Sequence, residues 1–174
     1  QLQKVVIIGA GFAGLSAAKA LAKAPVEVTL VDQQNHHLFQ PLLYQVATAA
    51  LTPADIAVPI RRILRHQHNV TVAMDRLLAV DTNHQIVDLE SGTTLQYDAL
   101  IIATGAQHSY FGKDHWAKTA PGLKTLDDAL SLRDRVLKAF EHAEQIVEKD
   151  PNAAERKLRF VIVGAGPTGV ELAG

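Results

Sequence analysis

The sequence predicts an α/β, Rossmann-like fold in which helices cover a parallel sheet that carries an inserted antiparallel β-meander. Three observations predict it. Residues 5–8 are four consecutive β-branched apolar residues, too hydrophobic for a strand with one face in water. A Gly-x-Gly-x-x-Gly pattern and an alanine-rich helical segment follow this run. The same order of strand, glycines and helix recurs 155 positions later, which predicts the start of a second such unit.

The first glycine pattern has the spacing of a dinucleotide-binding turn. Gly9 would allow the tight turn, Gly11 would let the backbone approach a pyrophosphate, and Gly14 would let the helix pack closely on the strand. The N–H groups at the start of the helix would then face the phosphates. The glycine pattern alone is weak evidence of nucleotide binding. The preceding strand and a predicted helix over residues 12–24, ended by Pro25, supply the context that such a turn requires.

Asp32 follows the next predicted strand, residues 26–31, and lies 18 positions after Gly14. A carboxylate at this place typically accepts hydrogen bonds from the ribose of a bound nucleotide. An acid at a strand end can also be merely solvated, but the surrounding βαβ pattern favours ribose binding.

Composition excludes several classes of function. A net charge of −1 gives no general attraction to nucleic acid, and the absence of cysteine excludes disulfide frameworks, thiolate metal sites and dithiol chemistry within these residues. The adjacent His36 and His37 lack the spacing of metal ligands, so no metal site is predicted. The longest apolar runs are shorter than the ~20 residues that a membrane-spanning helix needs.

Turn residues and the periodicity of apolar residues predict the secondary structure in the middle of the chain. Residues 34–66 are an irregular excursion that ends in a short amphipathic helix after Pro59, and residues 69–98 are an antiparallel meander. A buried strand over residues 99–103 ends in small residues that allow a ligand to approach the backbone. Thr125 and Asp128 resemble a capping box that starts a long helix, and residues 153–157 resemble a linker.

The second glycine pattern predicts a second phosphate-binding strand, turn and helix over residues 159–174. Because the sequence stops within the first turns of that helix, we expect the chain to be the N-terminal part of a longer protein. We expect residues 1–120 to form the first nucleotide-binding domain, residues 121–157 a helix and linker, and residues 158–174 the truncated start of a second domain.

The chain resembles the N-terminal part of a flavoprotein with two dinucleotide-binding domains, and most closely a type II NADH dehydrogenase (NADH:quinone oxidoreductase). The resemblance covers all 174 residues and is carried by GAGFAG, FQPLLYQVA with ADIAVPIR, YDALIIATGA and GAGPTGVELAG. It implies that the first motif binds FAD, the second binds NADH, and electrons pass to a membrane quinone. It also implies a respiratory-chain enzyme that is cytoplasmic and peripheral at the inner face of the cell membrane.

The resemblance also assigns site residues. It assigns FAD contacts to Gly9, Ala10, Gly11, Phe12, Ala13, Gly14, Asp32, Gln33, Leu77, Ala103, Thr104 and Gly105. It assigns NADH contacts to Gly164, Gly166, Pro167, Thr168 and Gly169. Glu171 is the candidate catalytic residue near nicotinamide and flavin, although it could equally be an ordinary first-turn helix carboxylate stabilised by the helix dipole.

Two alternatives stay open. Disulfide reductases and sulfide:quinone oxidoreductases share the scaffold but use cysteines, which this chain lacks. A ferredoxin- or rubredoxin-reductase-type flavoenzyme is the enzymatic alternative, and a non-catalytic nucleotide-binding module is the other. We expect these residues alone to hold at most part of the FAD, to show no turnover, and to self-associate through exposed apolar surface.

Overall fold

The computed structural model describes residues 2–174, which form two compact units. The first unit contains the described residues up to Leu38 and Ala57–Ala106, and the second contains Phe39–Ile56 and Gln107–Gly174. The predicted division at residues 120 and 157 remains a prediction.

The strands are β1 (Gln3–Ile8), β2 (Val26–Asp32), β3 (His36–Leu38), β4 (Ala57–Pro59), β5 (Val70–Met74), β6 (Leu77–Asp81), β7 (Ile86–Leu89), β8 (Thr94–Gln96) and β9 (Ala99–Ile102). The α-helices are α1 (Phe12–Ala20), α2 (Leu43–Ala47), α3 (Pro53–Ile56), α4 (Ile60–Ile63), α5 (Leu126–Ile146), α6 (Pro151–Lys157) and α7 (Pro167–Ala173).

The first unit is built on a parallel sheet with the strand order β5-β2-β1-β9. The side chains of β1 and β2 alternate between two apolar clusters, so both faces of the sheet are covered at its centre. On one face Val5, Ile7 and Leu30 pack with residues of α1 and with Ile60 at the start of α4. On the other face, Val6 and Ile8 pack with Val87 and Leu89 of β7 rather than with a helix. The strand β9, which the sequence predicts to be buried, is only half-buried or exposed, and Ile102 is 54% exposed.

The meander is shorter than the sequence predicts. Strands β6, β7 and β8 form a three-stranded antiparallel sheet, as expected. The predicted first meander strand, residues 69–74, instead forms β5 and pairs in parallel with β2. Local apolar spacing cannot distinguish these arrangements, because the choice depends on which neighbour the strand meets.

The predicted irregular excursion contains a pair of short strands that the sequence does not predict. Strands β3 and β4 pair antiparallel, with His37 opposite Val58. The Ile60 N–H donates to the carbonyl of Asn35 at 3.0 Å, and the Ile60 side chain is buried in the first cluster. The short helix predicted after Pro59 is confirmed as α4, so this segment ties β3 to the core of the first unit.

The second unit is mainly helical, with α5 packed against α2 and α6. A capping box begins α5: Thr125 Oγ1 accepts from Asp128 N at 3.1 Å, and Asp128 Oδ2 accepts from Thr125 N at 2.8 Å. Burial raises the pKa of the Asp128 carboxyl, but hydrogen bonds from the backbone of Thr125 and Lys124 outweigh it, and the net pKa is lowered. The predicted long helix is therefore confirmed, together with its start.

Two predictions in the second unit are wrong. Residues 153–157 belong to α6 and are not a linker, because Asp150 caps this helix by accepting from Ala153 N at 2.9 Å and Pro151 occupies its first turn. Residues 160–163 form no strand, and Val161 and Val163 are 83% and 84% exposed. Among residues 2–174, no other strand pairs with this segment.

Across the described residues 2–174, no helix combines the length and the hydropathy that crossing a bilayer would require.

Replacing Thr125 by Ala should lower the free energy of unfolding by about 1 kcal/mol, because the Asp128 N–H loses its capping acceptor. Urea unfolding followed by circular dichroism measures this change. The matched control is Ser131→Ala, an exposed position inside α5, which should be neutral or slightly stabilising. Equal effects of the two substitutions would contradict a role for the cap.

Candidate nucleotide-binding site

The predicted contact residues of the first unit gather at one edge of the parallel sheet. Strands β1, β2 and β9 run in the same direction, so their carboxyl ends lie side by side. Gly9 follows β1, Asp32 ends β2, and Ala103 follows β9. The chain leaves β1 for β2 on one side and returns to β9 on the other. Ligands of open α/β sheets bind at such a switch in strand order.

The glycine turn is held by close backbone contacts. Gly9 has φ +100°, and a Cβ there would overlap the carbonyl oxygen of Ala103. A Cβ on Gly14, inside α1, would overlap the carbonyl oxygen of Gly9. Gly11, by contrast, meets nothing within 4 Å and is exposed. The first and third glycines are therefore required by packing, whereas the second leaves open space beside the backbone.

Asp32 already has backbone partners. Its Oδ2 accepts from Ala10 N at 2.5 Å, and its Oδ1 accepts from Gln34 N at 2.7 Å. Each carboxylate oxygen has a further lone pair, so the side chain keeps acceptor capacity for a ribose hydroxyl. The structure thus gives Asp32 a role that the sequence did not show, which is to hold the peptide between Gly9 and Ala10.

The other predicted residues differ in exposure. Phe12 and Ala13 are exposed at the start of α1, and Thr104 and Gly105 are exposed just after β9, with Gly105 at φ +72°. Gln33 is also exposed, and Leu77 is half-buried at the start of β6. All lie in the first unit, and their contacts with a nucleotide stay predictions.

His37 is a contact of the glycine turn that the sequence reading missed. Its Nδ1 lies 2.9 Å from the carbonyl oxygen of Ala10. Its ring meets Phe12 edge to face, with centroids 5.2 Å apart and an angle of 89° between the ring planes. No local sequence pattern predicts this contact, because it depends on where the paired strands β3 and β4 lie.

The second glycine pattern repeats the geometry of the first. Gly164 has φ +107°, and a Cβ on Gly169 would overlap the carbonyl oxygen of Gly164, as Gly14 does with Gly9. Gly166 caps α7 with φ −75° and ψ 177°, close to the −68° and −162° of Gly11 at α1. The turn therefore forms although the predicted strand before it does not.

The candidate residues around this second turn are exposed, except Gly169, which is half-buried. Pro167 and Thr168 begin α7, and Glu171 lies one turn further on, outside the first turn. The reading of Glu171 as a first-turn carboxylate is therefore wrong. Within the described residues 2–174, no three His, Cys, Asp or Glu side chains are grouped so as to hold a metal ion.

A parallel sheet with a glycine turn after its first strand, repeated as a second turn of the same shape, defines a dinucleotide-binding scaffold. The family model of the pyridine nucleotide-disulphide oxidoreductases matches residues 3–174, so the chain belongs to this family.

Within the family the chain is similar to two proteins of Mycobacterium tuberculosis (strain ATCC 25618 / H37Rv). It is 56% identical to type II NADH:quinone oxidoreductase NdhA and 53% identical to type II NADH:quinone oxidoreductase Ndh, in each case over 98% of this chain. The chain spans 37% of the length of both relatives.

Two solved structures are similar to this chain over nearly its whole length. NDH2 from Plasmodium falciparum in complex with NADH has a TM-score of 0.86 and 27% identity, over 99% of this chain and 36% of that one. An NADH:rubredoxin oxidoreductase from Clostridium acetobutylicum has a TM-score of 0.71 and 26% identity, over 99% of this chain and 41% of that one.

Gly14→Ala should lower the free energy of unfolding by about 1–3 kcal/mol, because the added methyl group meets the Gly9 carbonyl. Gly11→Ala should leave it unchanged or raise it by up to about 1 kcal/mol, because that site is open and alanine lowers the entropy of the unfolded chain. Thermal or urea unfolding of both variants tests the contrast, and two equally destabilised variants would contradict it.

Proposed function

We propose that the whole protein carrying this chain is an FAD-dependent NADH:quinone oxidoreductase. The observation that carries the proposal is the 56% identity to a type II NADH:quinone oxidoreductase over 98% of the chain. The two glycine turns of matching geometry support it, because the enzyme needs one turn for each dinucleotide.

The residues of the first unit fit FAD. The open space beside Gly11 allows a pyrophosphate to approach the backbone, and the start of α1 offers N–H groups and the positive end of a helix dipole. Asp32 keeps lone pairs for the ribose. We assign the pyrophosphate to residues 9–14, the ribose to Asp32 with Gln33 nearby, and the adenine to the backbone of Leu77.

Thr104 and Gly105, which follow β9, would pass near the flavin, as would Ala103. When bound, the flavin supplies the two-electron chemistry that links oxidation of NADH to reduction of a quinone. The residues of this chain contribute orientation, because their backbone is held by the close contacts at Gly9 and Gly14 before any nucleotide arrives.

The second turn is assigned to NADH. Gly164, Gly166 and Gly169 form the turn, and Pro167 and Thr168 stand at the start of α7 where a pyrophosphate would bind. We assign Glu171 to the neighbourhood of the nicotinamide, as the candidate catalytic residue.

The domain and location proposals follow from the same assignment. We propose that residues 1–120 belong to the FAD-binding domain, residues 121–157 to a connecting region, and residues 158–174 to the start of the NADH-binding domain. We propose that the whole protein acts in the respiratory chain, cytoplasmic and peripheral at the inner face of the cell membrane.

The purified whole protein should contain FAD and should oxidise NADH with a soluble quinone analogue as acceptor. Gly11→Ala should weaken FAD binding by about tenfold or more, because the added methyl group occupies the space needed by the pyrophosphate. Absorbance near the flavin bands and NADH consumption at 340 nm measure the two properties. Activity with a rubredoxin or ferredoxin but not with quinone would favour the NADH:rubredoxin oxidoreductase alternative, and absence of flavin would defeat the proposal.

Glu171→Gln should lower kcat for NADH oxidation about tenfold, the effect expected from losing one hydrogen bond made by a charged group. The FAD content should be unchanged, since Glu171 lies in α7, next to the glycine turn that we assign to NADH. Glu141→Gln, an exposed carboxylate on α5, is the matched control and should leave kcat unchanged. An unchanged kcat in Glu171→Gln would leave this residue as an ordinary helix carboxylate.

A further inference from the structure

We propose that His37 is a positioning residue that aims the Gly11 N–H at the FAD pyrophosphate by binding the carbonyl group of Ala10. The inference rests on the proposed binding of FAD to the first glycine turn. It concerns a residue that lies outside the glycine pattern and comes 27 positions after Ala10 in the sequence.

The peptide between Gly9 and Ala10 is held at both of its polar groups. Its N–H donates to Asp32 Oδ2 at 2.5 Å. Its carbonyl oxygen points the other way, at the position where a Cβ of Gly14 would be. Both polar groups of this peptide therefore face other parts of the first unit, and the peptide cannot rotate without losing a hydrogen bond and a close contact.

The next peptide, between Ala10 and Gly11, is held by His37. The Ala10 carbonyl lies 2.9 Å from His37 Nδ1. Since the peptide is planar and trans, the Gly11 N–H points away from the histidine. Among the described residues, the structure gives this N–H no acceptor, and Gly11 is exposed. Of the four polar groups in the two peptides, the Gly11 N–H is the one that has no partner among the described residues and is available to a ligand.

Several independent contacts fix the position of His37. It lies in β3, paired with Val58 of β4. This strand pair is tied to the core through Ile60, whose N–H donates to the Asn35 carbonyl. The edge-to-face contact with Phe12 restrains the ring from the side of α1. Histidine at this position is therefore not a flexible surface group that merely touches the loop.

The hydrogen bond also sets the tautomer. A carbonyl oxygen can only accept, so Nδ1 must carry the proton, and the neutral imidazole is then the Nδ1–H form. The side chain of the adjacent His36 lies on the opposite face of the strand, because successive residues of a strand alternate between its faces. Its Nδ1 lies 3.2 Å from Asn35 Oδ1. The pair supplies a test residue and a control residue on one strand.

Three substitutions in the whole protein separate hydrogen bonding from packing. His37→Leu keeps an apolar side chain against Phe12 but has no donor. His37→Asn places an amide N–H the same number of bonds from Cα as Nδ1, so it can restore the donor. His36→Ala is the control. Circular dichroism establishes that each variant folds, and the FAD dissociation constant is measured by flavin fluorescence.

We expect His37→Leu to raise the FAD dissociation constant about three- to tenfold, the range that corresponds to one ordinary hydrogen bond. His37→Asn should recover most of this loss, and His36→Ala should match the wild type. The ³¹P resonances of bound FAD should shift in His37→Leu and return in His37→Asn, and the ¹⁵N spectrum of the wild type should show His37 protonated at Nδ1.

Bound FAD with the same dissociation constant and ³¹P spectrum in His37→Leu would overturn the inference and leave the proposed function intact. A His37→Asn variant as weak as His37→Leu, with a wild-type histidine unprotonated at Nδ1, would also overturn it and assign the residue to packing. Absence of FAD from the folded wild type would overturn the proposed function, and the inference with it.

Discussion

The first unit depends on one close approach, that of the Gly14 backbone in α1 to the carbonyl of Gly9 at the end of β1. This contact lets α1 lie directly on the sheet, so that Leu15 and Ala18 join Ile7 and Leu30 in one buried cluster. It also directs the Gly9 carbonyl away from the binding edge. The packing of the core and the shape of the candidate site therefore follow from the same backbone contact.

The glycine turn is contacted by three other segments. The side chains of Asp32, at the end of β2, and His37, in β3, bind its backbone, and the backbone carbonyl of Ala103, just after β9, lies close to Gly9. A turn held in this way loses little conformational freedom when a ligand binds, which favours affinity. The double use of Asp32, as a partner of Ala10 and as a candidate ribose acceptor, explains why an acid at this strand end matters to the loop as well as to the ligand.

Much of the fold could be predicted from the sequence because the signals are local. The buried run before Gly9, the glycine spacing and the Thr125–Asp128 capping box each depend on neighbours within a few positions, and each is found as expected. The errors in the two sheets of the first unit concern strand pairing. Residues 70–74 are apolar at strand spacing in either arrangement, and only the presence of β2 beside them decides that they join the parallel sheet.

The second glycine pattern separates what the sequence determines locally from what depends on tertiary structure. By itself, the spacing of Gly164, Gly166 and Gly169 determined a turn of the same shape as the first, because such a turn is formed by the contacts of its own residues. The strand before it needed a neighbour to accept its backbone hydrogen bonds, and residues 2–174 provide none. Tertiary structure alone decided the contact of His37 with Ala10, because it joins residues whose distance in space is set by β3, β4 and the buried Ile60.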